Sequence, residues 1–131
     1  MIQRFIVVDD DKINNMLCSY IIEDSILNAE FTAFTDPEEA LNYIKSSYAD
    51  ADCVAADTIL FLDINMPLID GWQFLEAFDL FDEQVKSCIE IHMLSSSIDQ
   101  RDIDHAVNNK YVSSFLGKPL TEEIVKRLAN R

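Results

Sequence analysis

A 131-residue chain with 24 acidic against 10 basic side chains, net charge −14, repels nucleic acid and anionic membrane and suits cations or basic protein surfaces. At 49% apolar content it can bury one core but is too short for two, so it reads as a single domain over residues 1–131. Nothing in it could span a bilayer or serve as a signal peptide, and its two glycines, Gly71 and Gly117, exclude a glycine-rich phosphate loop.

Arg4 to Asp9 reads as a first buried strand, closing on Asp9, Asp10 and Asp11. The following helix shows Ile13, Met16, Leu17, Tyr20 and Ile21 at the spacing of one buried stripe. Glu30 to Phe34 is a second strand. Asp36, Pro37 and Glu39 give a helix start, with Asp as N-cap, Pro at the first position and Glu completing a capping box. Ala40, Leu41, Ile44 and Tyr48 are its apolar face, and Ala49 to Asp57 is a surface loop.

The apolar run Ile59 to Leu62 is a third strand, fully buried, that ends at Asp63. Asn65, Pro67, Asp70 and Gly71 break the pattern before a third helix carrying Trp72, Phe74, Leu75 and Phe78. Ile89 to Leu94 is a fourth strand, followed by Ser95, Ser96 and Ser97. Ser97 with Gln100 resembles an N-cap pair for a fourth helix, Asp99 to about Asn109. Val112 to Leu116 is a fifth strand, stopped by Gly117, Lys118 and Pro119, and Thr121 caps a last helix reaching about Ala129. Five strands alternating with five helices predict a doubly wound parallel α/β sheet covered on both faces. Cys18, Cys53 and Cys88 lack metal-ligand spacing and read as three small buried thiols in a reducing cytosol.

In a parallel sheet the polar groups that follow each strand point the same way. Asp9, Asp10, Asp63, Ser95 and Lys118 are therefore candidates for one cleft. Clustered carboxylates repel by roughly 4 kcal/mol per pair at 4 Å and an effective dielectric near 20, so they call for a cation. Carboxylates with a backbone carbonyl suit Mg2+. Adding a hydroxyl and a lysine suits phosphoryl transfer, with Asp63 as nucleophile and Asp9 and Asp10 as metal ligands.

Val7-Val8-Asp9-Asp10, Leu62-Asp63-Ile64-Asn65-Met66-Pro67 with Asp70-Gly71, Leu94-Ser95-Ser96 and Lys118-Pro119 occur in that order along almost the whole chain. Together they resemble the response-regulator receiver domain of two-component signalling, the CheY-like phosphoacceptor. The resemblance implies a flavodoxin-like (βα)5 fold with strand order 2-1-3-4-5. It implies phosphorylation of Asp63, with Mg2+ or Mn2+ held by Asp9, Asp10, Asp63 and the backbone carbonyl of Asn65. Ser95 and Lys118 would engage the phosphoryl group, Lys118-Pro119 would be cis, and Phe115 would stand where the family keeps a rotating aromatic.

The expected function is a stand-alone receiver without an output domain, since only 12 residues follow Pro119. It would take phosphate from a histidine kinase or histidine phosphotransfer protein in the cytoplasm. A switch through the fourth helix, fifth strand and last helix would then pass the signal to another protein, as monomer or weak homodimer, or the phosphate would be relayed onward. No separate substrate turnover is expected. A haloacid-dehalogenase-like phosphatase would need a second acid two residues after the nucleophile, where this chain has Asn65. A phosphorylation-independent docking module would not need the acids, the hydroxyl and the lysine together. Asp11 is expected in a solvated loop, and His92 and His105 are expected as ordinary strand and helix residues.

Overall fold

The structure, a computed structural model, describes residues 1–130. Its elements are β1 (Arg4–Val8), α1 (Lys12–Ser25), β2 (Glu30–Phe34), α2 (Pro37–Ser47), β3 (Thr58–Asp63) and α3 (Gly71–Asp79). They continue as α4 (Glu83–Lys86), β4 (Ile89–Ser95), α5 (Gln100–Val107), β5 (Val112–Gly117) and α6 (Glu122–Ala129). The strands form one sheet in the order β2-β1-β3-β4-β5, parallel throughout. Every residue of the central strand β3 is buried, as its unbroken apolar run requires.

Side chains alternate along β3 and divide the core in two. Leu60 and Leu62 pack with Ile44, Phe74 and Phe78 from α2 and α3. Ile59 and Phe61 face the other way, toward Cys18 and Ile22 of α1 and Val125 and Leu128 of α6. Phe61, Phe74 and Phe78 are almost wholly buried. Each contributes about 3 kcal/mol through the water it sheds.

Four expectations fail locally, each for a visible reason. On α1 the inward residues are Asn14, Asn15, Cys18 and Ile22, whereas Ile13, Met16, Leu17 and Tyr20 are exposed. Two faces of this helix carry helical spacing. The one turned inward is the face whose amides reach partners on Asp9. A sixth helix, α4, is a single turn and too short to show periodicity. The cap of α5 is Asp99, whose side chain accepts from Arg101 N at 2.8 Å, because the Ser97 backbone is taken up by Ser95. The helix stops at Val107.

The fourth concerns sulfur. Cys53 and Cys88 form a disulfide with Cα atoms 5.3 Å apart, and Cys18 alone stays a free thiol among the described residues. Parallel neighbours begin at the same end of the sheet, so the loop entering β3 runs beside the residue entering β4. Asp57 N and Thr58 N both donate to the Cys88 carbonyl, at 3.0 and 3.1 Å.

The other N-caps sit where their sequence signals put them, although the capping box expected from Asp36 and Glu39 is a fifth expectation that the structure does not meet. Asp36 caps α2 by accepting from Glu38 N at 2.9 Å, with Pro37 in the first turn. The reciprocal capping box falls on α3 instead, between Asp70 and Gln73. Thr121 caps α6, and the Lys118-Pro119 bond is cis.

Candidate functional site

The sheet register puts Val8 beside Leu62, Asp63 beside Leu94 and Ser95 beside Gly117. Asp9 and Asp63 therefore leave their strands level with each other, with Ser95 one residue and Lys118 two residues further along the same carboxyl edge. The Lys118 backbone N–H donates to the Ser95 carbonyl at 2.8 Å, fixing the start of the lysine to the end of β4. Asp9 and Asp63 are buried and Asp10 is exposed, and one carboxylate oxygen from each lies within 4.8 Å of the others.

One ammonium faces these acids. Lys118 Nζ stands 2.7 Å from Asp9 Oδ2 and 3.5 Å from Asp63 Oδ1. Burial, then the charge of Asp9, pushes the Asp63 carboxyl up to about 6, with Lys118 only partly offsetting them. Burial on its own would lower Lys118, but its hydrogen bond to Asp9 and the charges of Asp63 and Asp9 outweigh that and raise it. Three carboxylates with one ammonium leave an excess of two negative charges. That donor set of hard oxygens fits a divalent cation such as Mg2+ or Mn2+.

Residues 5–129 match the profile of the response regulator receiver domain family. The chain belongs to that family. A two-component response regulator from Cytophaga hutchinsonii is similar at 31% identity and a TM-score of 0.85, over 98% of this chain and 95% of that one. A response regulator receiver protein from Dyadobacter fermentans is 28% identical with a TM-score of 0.84, over 95% and 93% of the two chains. The phosphorylated cyanobacterial phytochrome response regulator RcpA is 26% identical with a TM-score of 0.75, over 98% and 91%. No curated protein matches the chain in a sequence search.

Within the receiver, the loop leaving β3 is shaped around Asp63. Gly71 N donates to the Ile64 carbonyl at 2.8 Å. A Cβ on Gly71 would lie 2.7 Å from the Asp63 carbonyl oxygen and 2.9 Å from Met93 Cε, so only glycine lets α3 start so close to the site. Asn65 is exposed in this loop. Ser95 is buried and donates its hydroxyl to Ser97 O at 2.8 Å. Phe115 is half-buried and packs against the α2–α3 side of the core.

Asp11 has a structural task that the sequence reading did not find. It is the N-cap of α1, accepting from Ile13 N at 2.9 Å and Asn14 N at 3.4 Å, while its own N–H donates to Asp9 Oδ1 at 2.9 Å. His92 is buried between Ser114 Oγ at 2.6 Å and a Glu90 carboxylate oxygen at 2.7 Å. His105 stacks on Trp72 with centroids 3.7 Å apart.

Asn14 and Asn15 were missed. Asn14 Nδ2 donates to Asp9 Oδ2 at 2.8 Å, and Asn15 Nδ2 donates to the Asp9 carbonyl at 3.0 Å. Two amides one turn past an acidic pair, in register with Cys18 and Ile22, were the signal.

Proposed function

We propose that this receiver accepts a phosphoryl group from a phosphohistidine donor onto Asp63. The observation carrying this reading is the buried Asp63 carboxylate, 3.5 Å from Lys118 and within an acidic cluster suited to a divalent cation. Burial and the charge of Asp9 raise the Asp63 carboxyl, and a divalent cation in the cluster would oppose both and keep it an ionised nucleophile. A carboxylate oxygen attacks phosphorus and forms the O–P bond as the donor's N–P bond breaks. The imidazole nitrogen keeps that electron pair and leaves neutral, its ring already protonated.

Asp9, Asp10 and Asp63, with the Asn65 carbonyl, would hold Mg2+ or Mn2+, which supplies positive charge to the transferring oxygens. Lys118 pairs with the acyl phosphate, and Ser95 turns its hydroxyl from Ser97 toward it. Phosphorylation adds roughly 1.5 to 2 negative charges. The rearrangement of Ser95 and Lys118 then biases Phe115 and the α5–β5–α6 face toward a partner-binding arrangement, or the phosphate is relayed onward. The chain assists its own phosphorylation and dephosphorylation and turns over no other substrate.

The donor is a histidine kinase or histidine phosphotransfer protein, and the setting is cytoplasmic, a reading that rests on the family and not on the cysteines, two of which are joined. Its docking surface is the exposed stripe of α1, where Ile13 is 64% and Tyr20 58% exposed, with Met16 and Leu17 between them. Transfer needs the reacting atoms about 3 to 3.5 Å apart, so the donor must rest on whatever borders the cleft. The stripe begins at Ile13, two residues past Asp11, and an apolar helix face of the donor fits it.

Acetyl phosphate with Mg2+ is expected to add one phosphoryl group by intact mass, lost in Asp63→Asn. An adduct that persists in Asp63→Asn moves the acceptor elsewhere.

A further inference from the structure

Asp9 is held from several sides. Its Oδ2 accepts from Lys118 Nζ at 2.7 Å and from Asn14 Nδ2 at 2.8 Å, and its Oδ1 accepts from Asp11 N at 2.9 Å. Its backbone carbonyl is tied to Asn15 Nδ2 at 3.0 Å. Asn14 and Asn15 are only 8% and 7% exposed, on the apolar inner face of α1. Buried amides there are costly unless bonded, and a Leu would be the cheaper choice for packing alone. The chain even leaves Asn15 Oδ1 without a hydrogen-bond partner, the one such buried side-chain atom found among the described residues. A carboxylate and a backbone carbonyl both only accept, so Asn14 presents its nitrogen to the Asp9 side chain and Asn15 its nitrogen to the Asp9 carbonyl.

Lys118 serves two acids, closely on Asp9 and more loosely on Asp63. In the reading proposed above, on which this inference rests, it shifts to the phosphoryl group on Asp63. Asp9 Oδ2 then keeps one side-chain donor. We infer that Asn14 is a positioning residue that holds the Asp9 carboxylate when Lys118 leaves it, and thereby sets the affinity of the acidic cluster for a divalent cation. A neutral amide suits this task. It orients the carboxylate without competing electrostatically with the cation, as the lysine ammonium does.

The test reads Mn2+ binding from the electron paramagnetic resonance signal of the free ion, in the full chain. Asn14→Leu keeps the helix face apolar, and Asn14→Ala serves as the second variant because it cannot overpack. Both are expected to lower Mn2+ affinity about 10- to 100-fold, the usual effect of losing a partner behind a metal ligand. The loss caused by Asn14→Leu should be larger in a Lys118→Ala background than in the wild type, because Asn14 is then the sole side-chain donor to Asp9 Oδ2. Equal losses in both backgrounds mark a merely structural role and overturn the inference. So does affinity within about twofold of wild type in both Asn14 variants, when the wild type binds Mn2+ and is labelled by acetyl phosphate. A wild-type chain that neither binds Mn2+ nor is labelled overturns the receiver reading first, and this inference with it.

Discussion

At the amino end of the sheet, Arg4 lies 3.0 Å from Glu30 and 3.8 Å from Asp57, Tyr48 and Thr58 share a 2.5 Å hydrogen bond, and Cys53 is joined to Cys88. At the carboxyl end, Asp9 and Asp63 are buried beside Asp10 with Lys118 as their cation. One end pairs its charges at the surface and fastens its loop covalently. The other gathers like charges out of water, where they repel and hold Asp63 above the ordinary carboxylate range. With the function proposed above, the difference teaches that stability and chemistry fall at opposite ends of the same strands. The amino end anchors β3 and β4, and the carboxyl end keeps their termini poised.

Removing the fastening should have the largest effect on folding. The disulfide spans 35 positions, and closing a loop of that size restricts the unfolded chain by about 3 to 4 kcal/mol. The double variant Cys53→Ser with Cys88→Ser should lose stability of that order in urea unfolding. Acetyl phosphate labelling of Asp63 should be unaffected wherever the variant is folded. A loss of labelling in the folded variant would break the separation between the two ends.

A change of opposite sign is expected at the other end. The Asp63 pKa rises from 3.8 to about 6 on folding, so the folded state holds that proton more tightly. The penalty is absent below about pH 4, grows as pH rises toward 6, and is complete above it, reaching on the order of 3 kcal/mol. In metal-free buffer Asp63→Asn should therefore raise the urea midpoint at pH 8, and the gain should vanish near pH 4. A variant less stable than wild type at pH 8 would mean that Asp63 is satisfied there, and that the contrast in charge handling is wrong.

The strands and the cleft were legible because each signal was local. An unbroken apolar run ending on one acid locates β3 and Asp63, and parallel topology gathers the remaining strand ends without further information. What escaped depended on neighbours distant in sequence. Cys53 and Cys88 meet only because β3 and β4 start side by side. The inner face of α1 was misjudged because hydropathy ranks Ile13 and Tyr20 above Asn14 and Asn15, while the hydrogen bonds to Asp9 decide the rotation. Asp11 is a related case. Its value as an N-cap depends on where α1 begins, and three consecutive acids disguised it as excess charge.

The misjudged face leads to the smallest expected effect on folding and a sharp effect on function. Ile13 and Tyr20 are mostly in water, so Ile13→Ser with Tyr20→Ser should change stability by no more than about 0.5 kcal/mol per site. If α1 carries the donor, these side chains are covered only in the transfer complex, and truncating exposed anchors of that kind costs an interface about tenfold or more in affinity. Phosphoramidate offers the same N–P bond without a protein surface, so it separates docking from chemistry. Labelling by phosphoramidate should match wild type, while transfer from a phosphorylated histidine phosphotransfer protein that labels the wild-type chain should fall about tenfold. Equal losses with both donors would place the effect in the cleft rather than on the helix. Full transfer from the protein donor would mean that the donor docks elsewhere, leaving the apolar stripe of α1 without a role in phosphate transfer.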